Sequence, residues 1–315
     1  MNYQEVELIR KTYAKKLILR VTPALIFLAL AIICIPLSLL SLTSDSFLPF
    51  STVPLIGIGL FLTTILSIVS YFTTRKEAKQ YKKAYKSYFI ARSLSEIFTD
   101  VKYDHNQGMP REVLAATDMI RTGDVYASND YFSAKYHDVP LCQADVTIQE
   151  ESTDSDGDTY YVTIFKGRWM VFDFPKKFEF RLQVVQKWFG ANKKASKNHI
   201  TGLKPKRITV ESPTFNKKFK IFADDGFEAY YLLDPAFIDH IEKLSNDQKG
   251  KIMLCFKDNQ LHVAINNKKD AFEPPNPLKT IDEAKELTKV KNEIKAITDY
   301  VDFLKLDHKL FSKNQ

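Results

Sequence analysis

Two long apolar stretches near the N-terminus constrain this chain more than any other feature. Val21 to Leu42 and Val53 to Phe72 contain no Asp, Glu, Lys, Arg or His. As helices, each extends about 30 Å, the thickness of a bilayer's hydrocarbon core. The pattern predicts a two-helix transmembrane hairpin, helices 21–42 and 53–72, joined by the short loop Thr43–Thr52. Pro23 and Pro36 are compatible with a spanning helix, because neighbouring groups can satisfy the freed backbone.

The flanking charge gives the expected orientation. Residues 1–20 carry Arg10, Lys11, Lys15, Lys16 and Arg20, and residues 73–92 carry Arg75, Lys76, Lys79, Lys82, Lys83, Lys86 and Arg92. The connecting loop has no Lys or Arg and one acid, Asp45. Lys and Arg near membrane ends are retained on the cytoplasmic side. The expectation is therefore a two-pass protein of the cell (inner) membrane with both termini cytoplasmic, its first partner being the lipid bilayer. A cleaved signal peptide fits less well, since Glu5 and Glu7 precede the first run and no A-x-A site follows it. The spans hold no ionisable residue of the kind that lines transport pathways, which leaves an oligomeric channel or transporter component as a minor reading.

The chain's net charge of +7 is concentrated in those flanks. Beyond residue 92, acids and bases nearly cancel, so the basic balance points to anionic headgroups rather than to nucleic acid, which needs its own basic face. The three cysteines, Cys34, Cys142 and Cys255, have no C-x-x-C or Cys/His spacing. No metal and no cofactor are expected, and the thiols read as small apolar residues in a reducing compartment.

The remainder predicts an α+β architecture: a cytoplasmic antiparallel-sheet domain with short helices and a long C-terminal helix. The expected organisation is a cytoplasmic N-terminal segment at 1–20, the hairpin at 21–72, and an amphipathic helix and linker at 73–104. A β-rich domain at 105–276 and a C-terminal amphipathic helix at 277–315 follow. In the 73–104 helix, Ala78, Tyr81, Tyr85 and Tyr88 recur at near-helical spacing between lysines. Phe178, Phe180, Leu182 and Val184 alternate with polar residues, a half-buried strand. Residues 141–149 and 159–165 predict one hairpin. Ile252 to Ile265, with Asp258-Asn259 at its centre, predicts another. Asp234 and Pro235 predict a helix start, and Thr280 with Glu283 a capping box.

Two clusters stand out as interaction candidates. Lys193, Lys194, Lys197, Lys204, Lys206 and Arg207 follow Trp188-Phe189, and no acid occurs from Ala191 to Val210. Such a segment is either a solvated loop or a contact for an anionic lipid surface. Nucleic acid is not expected, because the interleaved aromatics that stack bases are missing. Leu287, Val290, Ile294, Ile297, Val301 and Leu304 follow a 3-4-3-4-3 spacing, the seam of a coiled coil. That stripe either packs on its own chain or joins the chain to a protein partner or a second copy.

Catalytic signatures are sparse. There is no G-x-x-x-x-G-K-[ST], G-x-S-x-G or H-E-x-x-H. Asp154, Asp156 and Asp158 put glycine at the wrong place for a calcium loop, with Gly157 fourth rather than sixth. Asp224, Asp225 and Glu228 form the one carboxylate group that suggests an enzyme, as a hydrolase site.

Several segments resemble a bacterial family of membrane-anchored proteins catalogued as a domain of unknown function, number thirty-one thirty-seven. They are Phe165-Lys166-Gly167, Phe172-Asp173-Phe174, Glu211-Ser212-Pro213, Phe215, Phe219, Asp224-Asp225, Glu228-Ala229, Tyr231-Leu232-Leu233, Pro235-Ala236-Phe237 and Phe272-Glu273-Pro274. The resemblance covers roughly 105–275 and implies architecture and bacterial origin, but no activity. The basic segment after Trp188 and the heptad-like tail are less typical of it. The leading expectation is a binding or scaffold module held at a membrane, contacting a protein partner or the membrane surface. The alternative is an enzyme with an unrecognised carboxylate site.

Overall fold

A computed structural model describes residues 1–41, 59, 62, 65, 69, 74–193 and 202–303. The chain divides into two compact units: Met1–Phe89 with Pro274–Glu286, and Ile90–Glu273 with Leu287–Gln315.

In the first unit, α1 (Tyr3–Ser41) is a continuous helix of 39 residues that runs through Pro23 and Pro36. A second helix, α2 (74–85), passes into a π-helical turn at Lys86–Ile90. The tyrosine face of α2 is turned inward. Tyr81 and Tyr85 are buried, and the Tyr81 ring sits 6.0 Å from Tyr13 of α1. Lys16 of α1 pairs with Glu77 of α2 at 2.6 Å. The strand of chain after Pro274 is held by phenols and a guanidinium. Tyr81 donates to the Pro275 carbonyl at 3.1 Å, Tyr3 to the Ile281 carbonyl at 2.6 Å, and Arg10 to the Pro277 carbonyl. These bonds satisfy carbonyls that a proline-rich segment cannot pair within regular structure.

The transmembrane expectation is corrected here. Among the described residues, no helix is long and apolar enough to cross a membrane. The first apolar stretch is the latter part of α1, whose earlier turns carry Glu5, Glu7, Arg10, Lys11, Lys15, Lys16 and Arg20. Most of the second stretch lies outside the described residues. The two-pass hairpin, the inner-membrane location and the orientation drawn from it are therefore not supported.

The second unit carries the antiparallel sheet, in keeping with the α+β class. Its strands are β1 (Thr99–Asp104), β2 (Val125–Tyr136), β3 (Val139–Thr153), β4 (Thr159–Gln186), β5 (Lys206–Ile208), β6 (Phe219–Ala223) and β7 (Lys251–Asn266). The order is β1-β2-β3-β4-β6-β5, with β7 also paired to β4. The long β4 organises everything. Its first part pairs with β3 alone, Gly167–Phe172 lie between β3 and β7, and its end lies between β7 and β6. Gly167 sits where β4 meets both β3 and β7. Its φ is +153°, and a Cβ there would stand 2.0 Å from the Ile265 carbonyl oxygen, so only glycine fits.

Three expectations about elements change. The hairpin expected over Ile252–Ile265 is one strand, because β4 offers a partner along its whole length. Asp258 adopts φ +54°, where the β4–β7 register shifts, so the Asp-Asn pair marks an irregularity rather than a reversal. The strand expected to be half-buried is covered on both faces, since Arg181, Gln183 and Val185 are as buried as Phe180, Leu182 and Val184. The C-terminal helix α8 (Glu283–Phe303) is capped by Asp282, which accepts from the Lys285 amide at 3.1 Å, rather than by Thr280. The β3–β4 hairpin forms as expected. Asp154 accepts the amides of Asp156 and Asp158, so this acid shapes the loop.

Both faces of the sheet are covered. On one, Phe165, Trp169, Ala144, Val146, Met253 and Ala264 pack with Leu114 of α4 (Arg111–Ala115) and with Phe189. On the other lies α8, with Tyr300 6.2 Å from Phe172 and Arg168 donating to the Glu293 carbonyl at 2.9 Å. Three short helices complete the unit: α5 (Pro213–Lys218), α6 (Gly226–Leu232) and α7 (Pro235–Asp247). The seven residues Ala91–Ile97, α3, precede β1.

Candidate binding surface

The acid-free segment begins in a well-fixed stretch of backbone. The Ala191 carbonyl accepts from the Arg121 amide at 2.7 Å, and the Lys193 amide donates to the Met119 carbonyl at 3.0 Å. Just before this, Trp188 is 90% exposed at φ +67°, while Phe189 beside it is buried. Lys193 reaches Asp118 at 3.0 Å. Asp118 also meets Arg181 at 3.1 Å, and Arg181 grips Asp224 at 2.9 Å. Burial opposes the Arg181 charge, but the Asp224 and Asp118 carboxylates outweigh it and leave its pKa raised. This chain of ion pairs joins the start of the basic segment to the residue before the α6 cap.

The far end of the segment meets α6. Lys204, Lys206 and Arg207 are exposed, the last two on β5, while Lys194 and Lys197 lie outside the described residues. Tyr230 of α6 donates to the Thr209 carbonyl at 3.1 Å. Asp225 starts α6 by accepting the amides of Phe227 and Glu228. Within this seven-residue helix only Ala229 is buried. Phe227, Tyr230 and Tyr231 are 71%, 51% and 74% exposed, at i, i+3 and i+4, with the Phe227 and Tyr231 rings 5.3 Å apart. An exposed aromatic stripe thus borders exposed Lys and Arg. The sequence motifs include Tyr231 but neither Phe227 nor Tyr230. Their signal was present as three aromatics on one helical face whose opposite side offers one small residue.

The carboxylate alternative fails on geometry. Asp224 is buried and bound to Arg181, Asp225 is spent on the helix cap, and Glu228 is exposed on α6. The three do not converge on one cavity.

An open cleft of about 710 Å³ crosses β1, β2, β3, β4 and β7. Its polar groups include Lys102, Tyr131, Cys142, Asp173 and Gln260, and Gln260 donates to Asp173 at 3.0 Å. Burial pushes the Cys142 thiol up to about 11 and the Tyr131 phenol up to about 12, so neither is an anion near neutrality. His262 is buried beneath, accepts from the Trp169 indole at 3.2 Å, and is pushed down to about 4 by burial. The cleft therefore offers neutral donors, the lysines Lys102 and Lys135 and the carboxylates Asp100 and Asp173, and neither its thiol nor its phenol is activated as a nucleophile. Among the described residues, no group of His, Cys, Asp and Glu could hold a metal ion.

Of the seam residues, Val290, Ile294, Ile297 and Val301 are buried, Leu287 is half-buried, and Leu304 lies outside the described residues. The ring and backbone contacts of α8 to β4 place this helix on its own sheet.

Residues 163–306, just under half of the chain, match the model of the family described as "Protein of unknown function (DUF3137)". The family resemblance is thereby shown. Against the expected 105–275 it extends further at the C-terminal end, taking in all of α8, and stops short at the other, leaving 105–162 outside; it also takes in the basic segment. No curated protein matches the chain. Among solved structures, the crystal structure of the mycobacterial trehalose monomycolate transport factor A, TtfA, is similar at a TM-score of 0.39 and 7% identity. That match covers 71% of this chain and 94% of that one. A likeness of that size supports no inference of fold or function.

Proposed function

Starting from a chain whose residues 163–306 fall in the DUF3137 family, we propose that it is a non-enzymatic binding module that docks peripherally on an anionic lipid surface. The docking groups are the α6 aromatics with Lys204, Lys206 and Arg207, and Trp188 just before the same acid-free segment. The observation that carries this reading is the exposed stripe Phe227, Tyr230 and Tyr231 beside exposed basic residues. Aromatic rings with a polar tip suit the headgroup level, and Lys or Arg near an anionic surface contribute about 1 kcal/mol each. Exposed apolar area of this kind otherwise has no compensation in water. Docking of this kind needs no spanning helix.

The two tryptophans make the test direct, because Trp169 is fully buried and Trp188 is exposed. Vesicles of phosphatidylcholine with phosphatidylglycerol should shift the tryptophan emission of the full chain to the blue. Pure phosphatidylcholine should shift it less, and Trp188→Phe should abolish the shift. Paired substitutions Lys206→Glu with Arg207→Glu, and Phe227→Ala with Tyr231→Ala, should each weaken binding about tenfold or more. Equal emission and flotation with both vesicle types would remove the proposal.

A further inference from the structure

The β3–β4 hairpin runs past the sheet that holds it. Beyond Gln149, β3 has no β2 partner, and before Gly167, β4 has no β7 partner. The outer edge of β4 over Thr159–Thr163 therefore carries no strand among the described residues. Asn266 marks where that open edge stops. Its side-chain amide donates to the Ile164 carbonyl at 3.1 Å, and its side-chain oxygen accepts from the Lys166 amide at 3.3 Å. The Lys268 amide then donates to the Lys166 carbonyl at 2.8 Å.

Hydrogen bonds fix which backbone groups face outward. The Gln149 carbonyl accepts from the Asp124 amide, and the Glu151 amide donates to the Asp124 carboxylate, both on the β2 side of β3. At the turn, the Asp154 amide donates to the Asp158 carbonyl. Inward pairing thus falls on Glu150 with Val162 and on Ser152 with Tyr160. The N–H and C=O groups of Thr159, Tyr161 and Thr163 point to the open edge, which is a template for another strand.

The side chains along this edge match a second copy of it. Tyr160, Tyr161 and Val162 are 49%, 52% and 42% exposed. Laid antiparallel against itself about Tyr161, the edge sets Thr159 opposite Thr163, Tyr160 opposite Val162, and Tyr161 opposite Tyr161. Threonine pairs, an aromatic with a β-branched residue and an aromatic pair are all favourable across strands. Every outward backbone group finds a partner, and the two-fold axis closes the assembly. Charge agrees with this register. The turn carries Asp154, Asp156 and Asp158, all exposed, and runs toward the partner's β7 end, where Lys268 and Lys269 are exposed. Lys166 nearby is already paired with Asp270 at 3.3 Å, whereas Lys268 and Lys269 are in no ion pair among the described residues.

We propose that the chain self-associates through this edge, the Thr159–Thr163 segments of two copies pairing antiparallel about a two-fold axis at Tyr161. Five residues a side fall far below a standard interface, so the dimer is reversible, with Kd on the order of 10–100 µM. The surface is separate from the α6 stripe, and its test uses no lipid.

Sedimentation velocity of the full chain, from about 1 to 300 µM, should show a sedimentation coefficient that rises with concentration toward that of a dimer. Tyr161→Lys sets two like charges face to face across the axis and should weaken dimerisation about tenfold or more. The residue is exposed, so the unfolding midpoint should hold. Lys268→Glu with Lys269→Glu should also weaken the dimer, and adding Asp156→Lys with Asp158→Lys should restore it. A chain that stays monomeric throughout, association unchanged by Tyr161→Lys, or a charge swap without recovery overturns the proposal.

Discussion

Asp145 shows how far a single residue can depart from what its neighbours in sequence suggest. It alternates along β3 with apolar residues, as an outward-facing acid would, yet it is almost fully buried, with the Ala271 amide donating to it. Burial raises its pKa to about 7. Arg168 and the Ala271 amide oppose the shift, while Asp130 and Asp270 add to it. The unfolded carboxyl titrates near 4. Below that pH both states are protonated and the folded state bears no penalty. As pH rises from about 4 through 7, the unfolded chain ionises first and stability is lost. The full effect is on the order of 4 kcal/mol. Asp145→Asn should therefore unfold at a higher denaturant concentration than the parent at pH 8, with the gap closing toward pH 4. A gap that stays constant across that range would show that the carboxyl does not titrate in this window. Arg181 was equally illegible: it occupies a polar position in an alternating strand, but Asp224, 43 residues away, takes it inside. Asp224→Ala would remove the buried one of the two carboxylates that hold the Arg181 charge, leaving Asp118, and should cost about 3 kcal/mol in equilibrium unfolding.

At the level of elements, local chemistry was read well and tertiary coverage was not. Asp234 caps α7 by accepting the Phe237 amide at 2.7 Å with Pro235 following, as its sequence predicts. The β3–β4 hairpin also follows from its alternating pattern and polar loop. The Ile252–Ile265 hairpin was misread because a turn signal acts only when no partner strand continues past it. The 28 residues of β4 provide that partner. In α8 the heptad spacing correctly marks an apolar stripe, but spacing alone does not say what covers it. Its centre, Ile294, is 0% exposed. Ile294→Ala should cost about 2–5 kcal/mol in a denaturant titration and destabilise the chain at every protein concentration. A loss of stability that appears only on dilution would instead mean that the stripe faces another copy.

At the scale of the whole molecule, charge and hydropathy divide the sequence at points that the structure does not follow. The linear partition places residues 277–315 together as a C-terminal element. The structure assigns Pro274–Glu286 to the unit built by α1 and α2, and Leu287 onward to the unit built by the sheet. The bonds responsible join residues nearly 200 or more positions apart. They include Tyr85 to Glu286 at 2.6 Å, Tyr81 to the Pro275 carbonyl and Tyr3 to the Ile281 carbonyl. No periodicity encodes such contacts, because a phenol and a carbonyl carry no spacing signal. Their consequence is that the two units should lose protection separately. Removing residues 1–89 deletes every one of these donors while leaving the β3–β4–β7 ladder intact. Amides of 275–286 should then exchange with solvent at least tenfold faster, whereas those of Leu141–Ile148 and Met253–Cys255 keep their rates. Unchanged exchange in 275–286 would mean that the segment holds its conformation without α1 and α2. Faster exchange throughout the sheet would mean that the two units unfold as one.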